Sequence, residues 1–158
     1  TMDNKLKKQV LQMFSYGVYI LTSKFEDNYC AATVTWVSQA SFDPPLISVC
    51  IKQESTSYQV IEKRGKFLLH ILGADQKKIA ASFFKHTTLE DELINNHKYQ
   101  LHDDLPLLDA VPAYLECKVS EIIENGDHHI FLSEVIDKIL NKEIDPLELR
   151  MTGWKYGG

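Results

Sequence analysis

The chain of 158 residues is poor in cysteine, and its three cysteines, Cys30, Cys50 and Cys117, lie far apart. No CxxC pair and no cysteine–histidine spacing suited to a metal is present, so neither a disulfide framework nor a zinc module is expected, and the thiols read as those of a reduced, cytoplasmic protein. Glycine is scarce too, at seven, and never forms GxGxxG or a Walker loop, which removes the Rossmann and P-loop phosphate cradles. There is no GxSxG elbow and no HExxH helix. No apolar run approaches the ~18 residues a membrane span needs, and, the first segment being lysine-rich and amphipathic, no signal peptide is expected. With a net charge of −5 the chain has no overall basic field for nucleic acid or anionic lipid. His86, His97 and His102 sit in an irregular acidic stretch without paired spacing, so no metal site is expected.

What is present is an ordinary globular composition, 44% hydrophobic and 25% charged, long enough for one substantial core. A single domain over residues 2–158 is expected, with Thr1 ahead of Met2 read as a cloning remnant. Asp3 or Asn4 caps a helix carrying Leu6, Val10, Leu11 and Phe14 at helical spacing, stopped by Gly17. GVYILTS and YCAATVTWV read as a hairpin around FEDN. Pro44 and Pro45 then separate a loop from LISVCIK, a strand apolar enough to be buried on both faces. Ser55, Thr56 or Ser57 caps a helix ended by Gly65, KFLLHIL is a further buried strand, and DQKKIAASFFKH is a helix. Residues 86–109 read as a long excursion with short helical turns. The last long segment is a hairpin turning at Asn125-Gly126. Six or seven hairpin-connected strands with two or three helices point to a mainly β, antiparallel barrel with helices outside it.

The stretch NYCAATVTWVSQASFDPPLISVC crowds hydroxyls between apolar runs. Ser38 and Ser41, with Lys52 at the end of the next strand and Ser55 to Ser57 opening a helix, could together hold a phosphate without glycines. Equally, Thr33 and Thr35 could be the outer face of a strand and the serines mere turn caps. Trp36 and Phe83 are either core or the apolar wall of a planar ligand. In GDHH the two adjacent histidines fall on opposite faces of a strand, one toward the interior or a rim and the other toward solvent.

Four stretches carry a resemblance. T-V-T-W…S-x-x-S-F-D-P-P-L-I-S-V, I-A-A-S-F-F, G-D-H-H-I-F-L-S-E-V and T-G-W-K-Y-G-G, in this order from about Phe14 onward, resemble the flavin reductase-like family. The resemblance implies an antiparallel Greek-key split β-barrel that binds FMN, or less often FAD, as a homodimer. It implies that Thr33, Val34, Thr35 and Trp36 run beside the isoalloxazine ring. Ser38, Ser41, Lys52 and Ser57 would serve the ribityl and phosphate end, Ser82 and Phe83 would line the pocket, and His128 would meet the nicotinamide of NADH or NADPH. Ser133 and His70 depart from the glycine and asparagine usual in the family. Hydride transfer to a flavin needs no protein nucleophile, in keeping with the missing triad. The expected activity is NAD(P)H:flavin oxidoreductase, with a monooxygenase as a candidate partner. The alternatives are an electron-transfer flavoprotein module serving a redox partner, or a small-molecule-binding barrel without redox chemistry.

Overall fold

The computed structural model describes residues 3–158; Thr1 and Met2 lie outside the described residues. Asp3 accepts from the backbone N–H groups of Lys5 and Leu6 and caps α1 (Asn4–Leu11). The expected amphipathic stripe forms, but it is not buried: Leu6, Val10, Met13 and Phe14 are all exposed. Strands β1 (Tyr19–Phe25) and β2 (Asn28–Val34) make the expected first hairpin. There the reading of one strand running through Trp36 ends. Thr35 and Trp36 break the pairing, and the residues expected as a loop form β3 (Val37–Ser41), which pairs antiparallel with β4 (Leu46–Lys52). Helix α2 (Thr56–Arg64) starts at its Ser55 cap and ends at Gly65, whose φ of 75° closes the helix in the left-handed region that glycine tolerates best. Next come β5 (Lys66–Ile71) and the short α3 (Lys77–Ser82).

The excursion differs most from its reading. It is a meander of β6 (Leu89–Glu90), β7 (Leu93–Ile94), β8 (His97–His102) and β9 (Leu105–Leu108). Its three two-residue turns, Asp91-Glu92, Asn95-Asn96 and Asp103-Asp104, have positive φ at both positions, the type I′ geometry that suits twisted hairpins. Finally β10 (Ala113–Ile123) and β11 (His128–Leu140) pair as the long hairpin, across a four-residue connection rather than a two-residue Asn-Gly turn.

Seven strands form one antiparallel sheet in the order β2-β1-β5-β10-β11-β4-β3. Its two edges, β2 and β3, are consecutive in the chain and joined only by Thr35 and Trp36. Three peptide steps reach at most ~11 Å, so the sheet must curl until its edges meet at that end. No ladder pairs β2 with β3, so the sheet is curled and open, not a closed barrel.

Alternation along the strands explains the apolar runs. In β1, Leu21 joins the inner core with Val49, Ile61, Phe67 and Phe131, while its neighbour Ile20 joins an outer core with Leu72, Phe83, Ile94 and Leu108. In β5, likewise, Phe67 and Leu69 face inward and Leu68 packs against Leu105 and Tyr114. β4 is different: Ile47, Val49 and Ile51 are buried, but Ser48 and Cys50 between them are only half-covered. Its outer face is where the site lies.

Candidate functional site

A cavity of about 250 Å³ opens beside the seam between the sheet edges. Several elements converge on it because the topology leaves them no alternative. The end of β2 supplies Thr33 and Val34, and the seam itself supplies Thr35 and Trp36. Cys50 and Lys52 come from β4, fixed to the seam by the Cys50 N–H donating to the Trp36 carbonyl at 3.0 Å. Antiparallel pairing sets His128 of β11 directly opposite Lys52. Ser55 and Ser57 sit at the start of α2, and the far wall is Phe84 with Trp154, Lys155 and Tyr156.

The polar groups divide into committed and free. The Thr33 hydroxyl donates to the Ala80 carbonyl at 2.6 Å and its N–H donates to the Phe83 carbonyl, which docks the end of α3 on β2. The Ser55 hydroxyl donates to the Lys52 carbonyl at 2.8 Å and accepts from the Tyr58 N–H. Lys52 makes none of the ion pairs found among the described residues and its side chain is exposed. The positive end of α2 adds to its field. Trp36 carries the one buried side-chain polar atom without a partner among the described residues, its indole N–H.

His128 has both ring nitrogens engaged. Nδ1 lies 2.9 Å from the Asp127 carboxylate, and Nε2 lies 2.6 Å from the Tyr156 hydroxyl. The bond from His128 holds the Asp127 carboxyl below the usual carboxylate range, and burial pushes the Tyr156 phenol up. The His128 ring packs 4.5 Å from Trp36, and Tyr156 packs 5.2 Å from Trp36. His129 goes the other way, into the core, where Nδ1 meets the Tyr58 hydroxyl at 2.7 Å. The two histidines thus split between rim and interior, and neither is left to solvent.

Of the residues singled out from the sequence, Thr33, Val34, Thr35, Trp36, Lys52, Ser57 and His128 line this one cavity. Ser38 and Ser41 do not. They lie on β3, and the Ser38 hydroxyl donates to its neighbour's carbonyl at Gln39. Ser82 is engaged by the Lys78 carbonyl and by His97 Nε2 at 2.9 Å. Phe83 is 2% exposed in the outer core, and its neighbour Phe84, 57% exposed, takes the wall position instead. Cys50, Phe84 and Trp154 to Tyr156 also line the cavity, and the only sequence signal that points to any of them is the T-G-W-K-Y-G-G stretch of the resemblance.

Elsewhere, His102, Glu116 and Asp137 bring ligand-type atoms within 4.8 Å of one another. The Lys66 ammonium, 3.8 Å from buried Glu116, already supplies positive charge there. The cluster is an ion-pair network across β5, β8, β10 and β11. No helix among the described residues is long and apolar enough to cross a membrane.

The profile of the flavin reductase like domain matches residues 11–155. The chain belongs to the flavin reductase like family. Among its relatives is the reductase component of the 4-nitrophenol 4-monooxygenase/4-nitrocatechol 2-monooxygenase of Rhodococcus opacus, 30% identical over 86% of this chain and 72% of the relative. An FMN reductase (NADH) of Agrobacterium fabrum is 26% identical over 89% of this chain and 78% of its own length. Among solved structures, the NADH:FAD oxidoreductase of Streptomyces globisporus is 27% identical, covers 89% of this chain and 81% of its own, and superposes with a TM-score of 0.75. In this flavin reductase like chain, the cavity is the feature that combines aromatic walls, a free lysine and a helix N-terminus. Those are the parts a planar, phosphate-tailed ligand requires.

Proposed function

We propose that this chain is an NAD(P)H:flavin oxidoreductase, a single flavin-binding domain whose cavity at the seam takes FMN, or FAD in its place. The observation that carries the reading is the cavity's division into two chemistries. One end offers the Lys52 ammonium, the Ser57 hydroxyl and the first amides of α2, held open by the Ser55 cap, a set suited to a phosphate. The other offers Trp36, Phe84 and Trp154, a set suited to a flat aromatic ring. The unpartnered Trp36 N–H is a donor that a ligand acceptor would satisfy.

When bound, the flavin supplies the ring position that accepts a hydride from the nicotinamide. The chain's own part is to bind, orient and shield. Thr33 to Trp36 run along the polar ring edge and meet it through the backbone groups that Phe83, Val37 and Cys50 leave unengaged, Lys52 holds the tail, and the aromatic wall excludes water. His128, opposite Lys52, stands on the nicotinamide side. No acid–base pair is required for such a transfer. Association as a homodimer and delivery of reduced flavin to a monooxygenase component both belong to this proposal. The name of the Rhodococcus opacus relative supports the latter, and the open edges and exposed apolar side chains support the former.

The test is spectroscopic. Added FMN should bind with a shift of its visible absorbance and quenching of its fluorescence. Anaerobic NADH or NADPH should then bleach the visible absorbance of the oxidised flavin. A protein that ignores both FMN and FAD, or whose bound flavin neither donor bleaches, would overturn the proposal.

A further inference from the structure

The tail from Thr152 to Gly158 crosses the cavity mouth, and its placement is specified by several independent contacts. Gly153 turns it with a φ of 80°. The Trp154 ring meets Phe84 edge-on at 4.7 Å, and the Lys77 ammonium lies over the Trp154 ring, 5.1 Å from its centroid. The Gln12 side-chain amide donates to the Gly157 carbonyl at 3.3 Å. The result is that Tyr156 lines the cavity, its hydroxyl delivered to His128 and its ring packed against Trp36.

The hydrogen-bond chemistry of this row has one consistent assignment in the neutral ring. An ionised carboxylate only accepts, so Asp127 requires the proton on His128 Nδ1. Nε2 is then a lone pair, and the Tyr156 O–H must donate to it. With its single proton committed, the tyrosine oxygen keeps only acceptor capacity toward the cavity. Resting on the reading of this cavity as a flavin and nicotinamide site, we infer that Tyr156 is a specificity-determining residue. Its hydroxyl oxygen accepts an N–H of the donor's carboxamide, and His128 and Asp127 are positioning residues that keep it in the accepting state. The chemistry selected is a nicotinamide bearing a free carboxamide NH₂. A ring with a ketone in that place presents the tyrosine with a second acceptor and is disfavoured.

Three variants and one analogue test this with the FMN-loaded protein. The ratio of kcat/KM for NADH over reduced 3-acetylpyridine adenine dinucleotide, whose ketone lacks the NH₂, is compared between proteins, so that intrinsic reactivity cancels. The wild type should favour NADH by about tenfold more than Tyr156→Phe does, the size of one hydrogen bond made or left unmade. Asp127→Asn is the sharper variant, because Asp127 is highly exposed and the tyrosine stays intact. An amide at position 127 can donate to Nδ1, which moves the ring proton to Nε2, reverses the His128–Tyr156 bond and frees the phenolic proton. The preference for NADH should fall there as well, an effect that a merely structural role for Asp127 would not produce. Nitrogen NMR of histidine-labelled wild type should show His128 protonated on Nδ1, and Asp127→Asn should show it protonated on Nε2.

A wild-type His128 protonated on Nε2, or a Tyr156→Phe protein that discriminates as the wild type does, overturns the inference while leaving flavin reduction intact. Unchanged donor kinetics in His128→Gln, with the FMN still reduced, would remove His128 and Tyr156 from the donor's path together. If neither dinucleotide reduces the flavin, the proposed function falls and takes this inference with it.

Discussion

In the proposed function, neutralisation of the ligand's charge rests on Lys52. It stands at the end of β4 beside the α2 N-terminus and bears no structural ion pair among the described residues. Lys52→Met should therefore leave the melting temperature within a few degrees and weaken FMN binding by about tenfold, one charge-assisted contact. Riboflavin, which lacks the phosphate, should bind both proteins alike; calorimetric titration with the two ligands checks this. The thiols give a second residue-level expectation. Burial pushes Cys30 and Cys117 up to about 12, while Cys50, raised less, faces the cavity. A thiol reagent should modify one cysteine in the native protein, Cys50, and bound flavin should slow it; two or more reactive thiols would contradict the burial of the others. His70 gives the third. Its ring is wholly buried between the Ile20 carbonyl and the Leu108 N–H, and burial lowers it from 6.5 to about 4. The folded protein keeps the ring neutral while the unfolded chain takes up a proton near 6.5, so the contribution is complete above that pH. It is lost as pH falls from 6.5 toward 4, by about 3 kcal/mol in all. Urea midpoints measured across that window should drop, and His70→Asn should flatten the slope.

At the scale of elements, the strands were largely legible and the turns were not. Alternation and β-branched runs announce β1, β2, β5, β10 and β11, because each must bury at least one face. The meander β6 to β9 stayed hidden since its strands are only two to six residues long and its turns contain no glycine. Aspartate and asparagine accept the left-handed conformation through their short polar side chains, which composition alone does not separate from a loop. Asn95 shows what such a turn residue can do besides turning. Its amide donates to the Ser82 carbonyl at 2.9 Å, and its oxygen accepts from the Thr88 N–H at 2.8 Å. Asn95→Ala leaves both groups without a partner and should cost about 2 kcal/mol, read from denaturant unfolding. Phe83 and Phe84 illustrate the remaining limit. α3 stops at Ser82, one residue before them, so helical phase no longer decides which ring turns inward. Ser38 and Ser41 failed as cavity residues for a related reason: two prolines suggested a loop, and the serines stand instead on an edge strand.

For the molecule as a whole, the proposed function rests on a sheet that curls but does not close. Seven strands in one ladder give rigidity everywhere except along the line where β2 and β3 pass each other, and the cavity has been placed on that line. The cavity-lining residues legible from the sequence, Thr33 to Trp36, Lys52, Ser57 and His128, all lie close to it: the first four because the chain crosses there from one edge to the other, the rest because β4, α2 and β11 end beside it. The tail that completes the wall carries no period and is held by contacts to residues distant in the chain, Gln12, Lys77, Phe84 and His128, so its place could not be read from pattern. An unclosed cylinder has a mechanical property that a closed one lacks. Spreading its lips by an ångström ruptures no ladder, so a bulky guest can be admitted and released by elastic flexing of the wall, without any strand being peeled away. Amide exchange at Val34 and Val37 should accordingly be fast in the empty protein and slow several-fold when FMN holds the lips together, while β5 and β10 at the back of the cylinder exchange at the same rate in both.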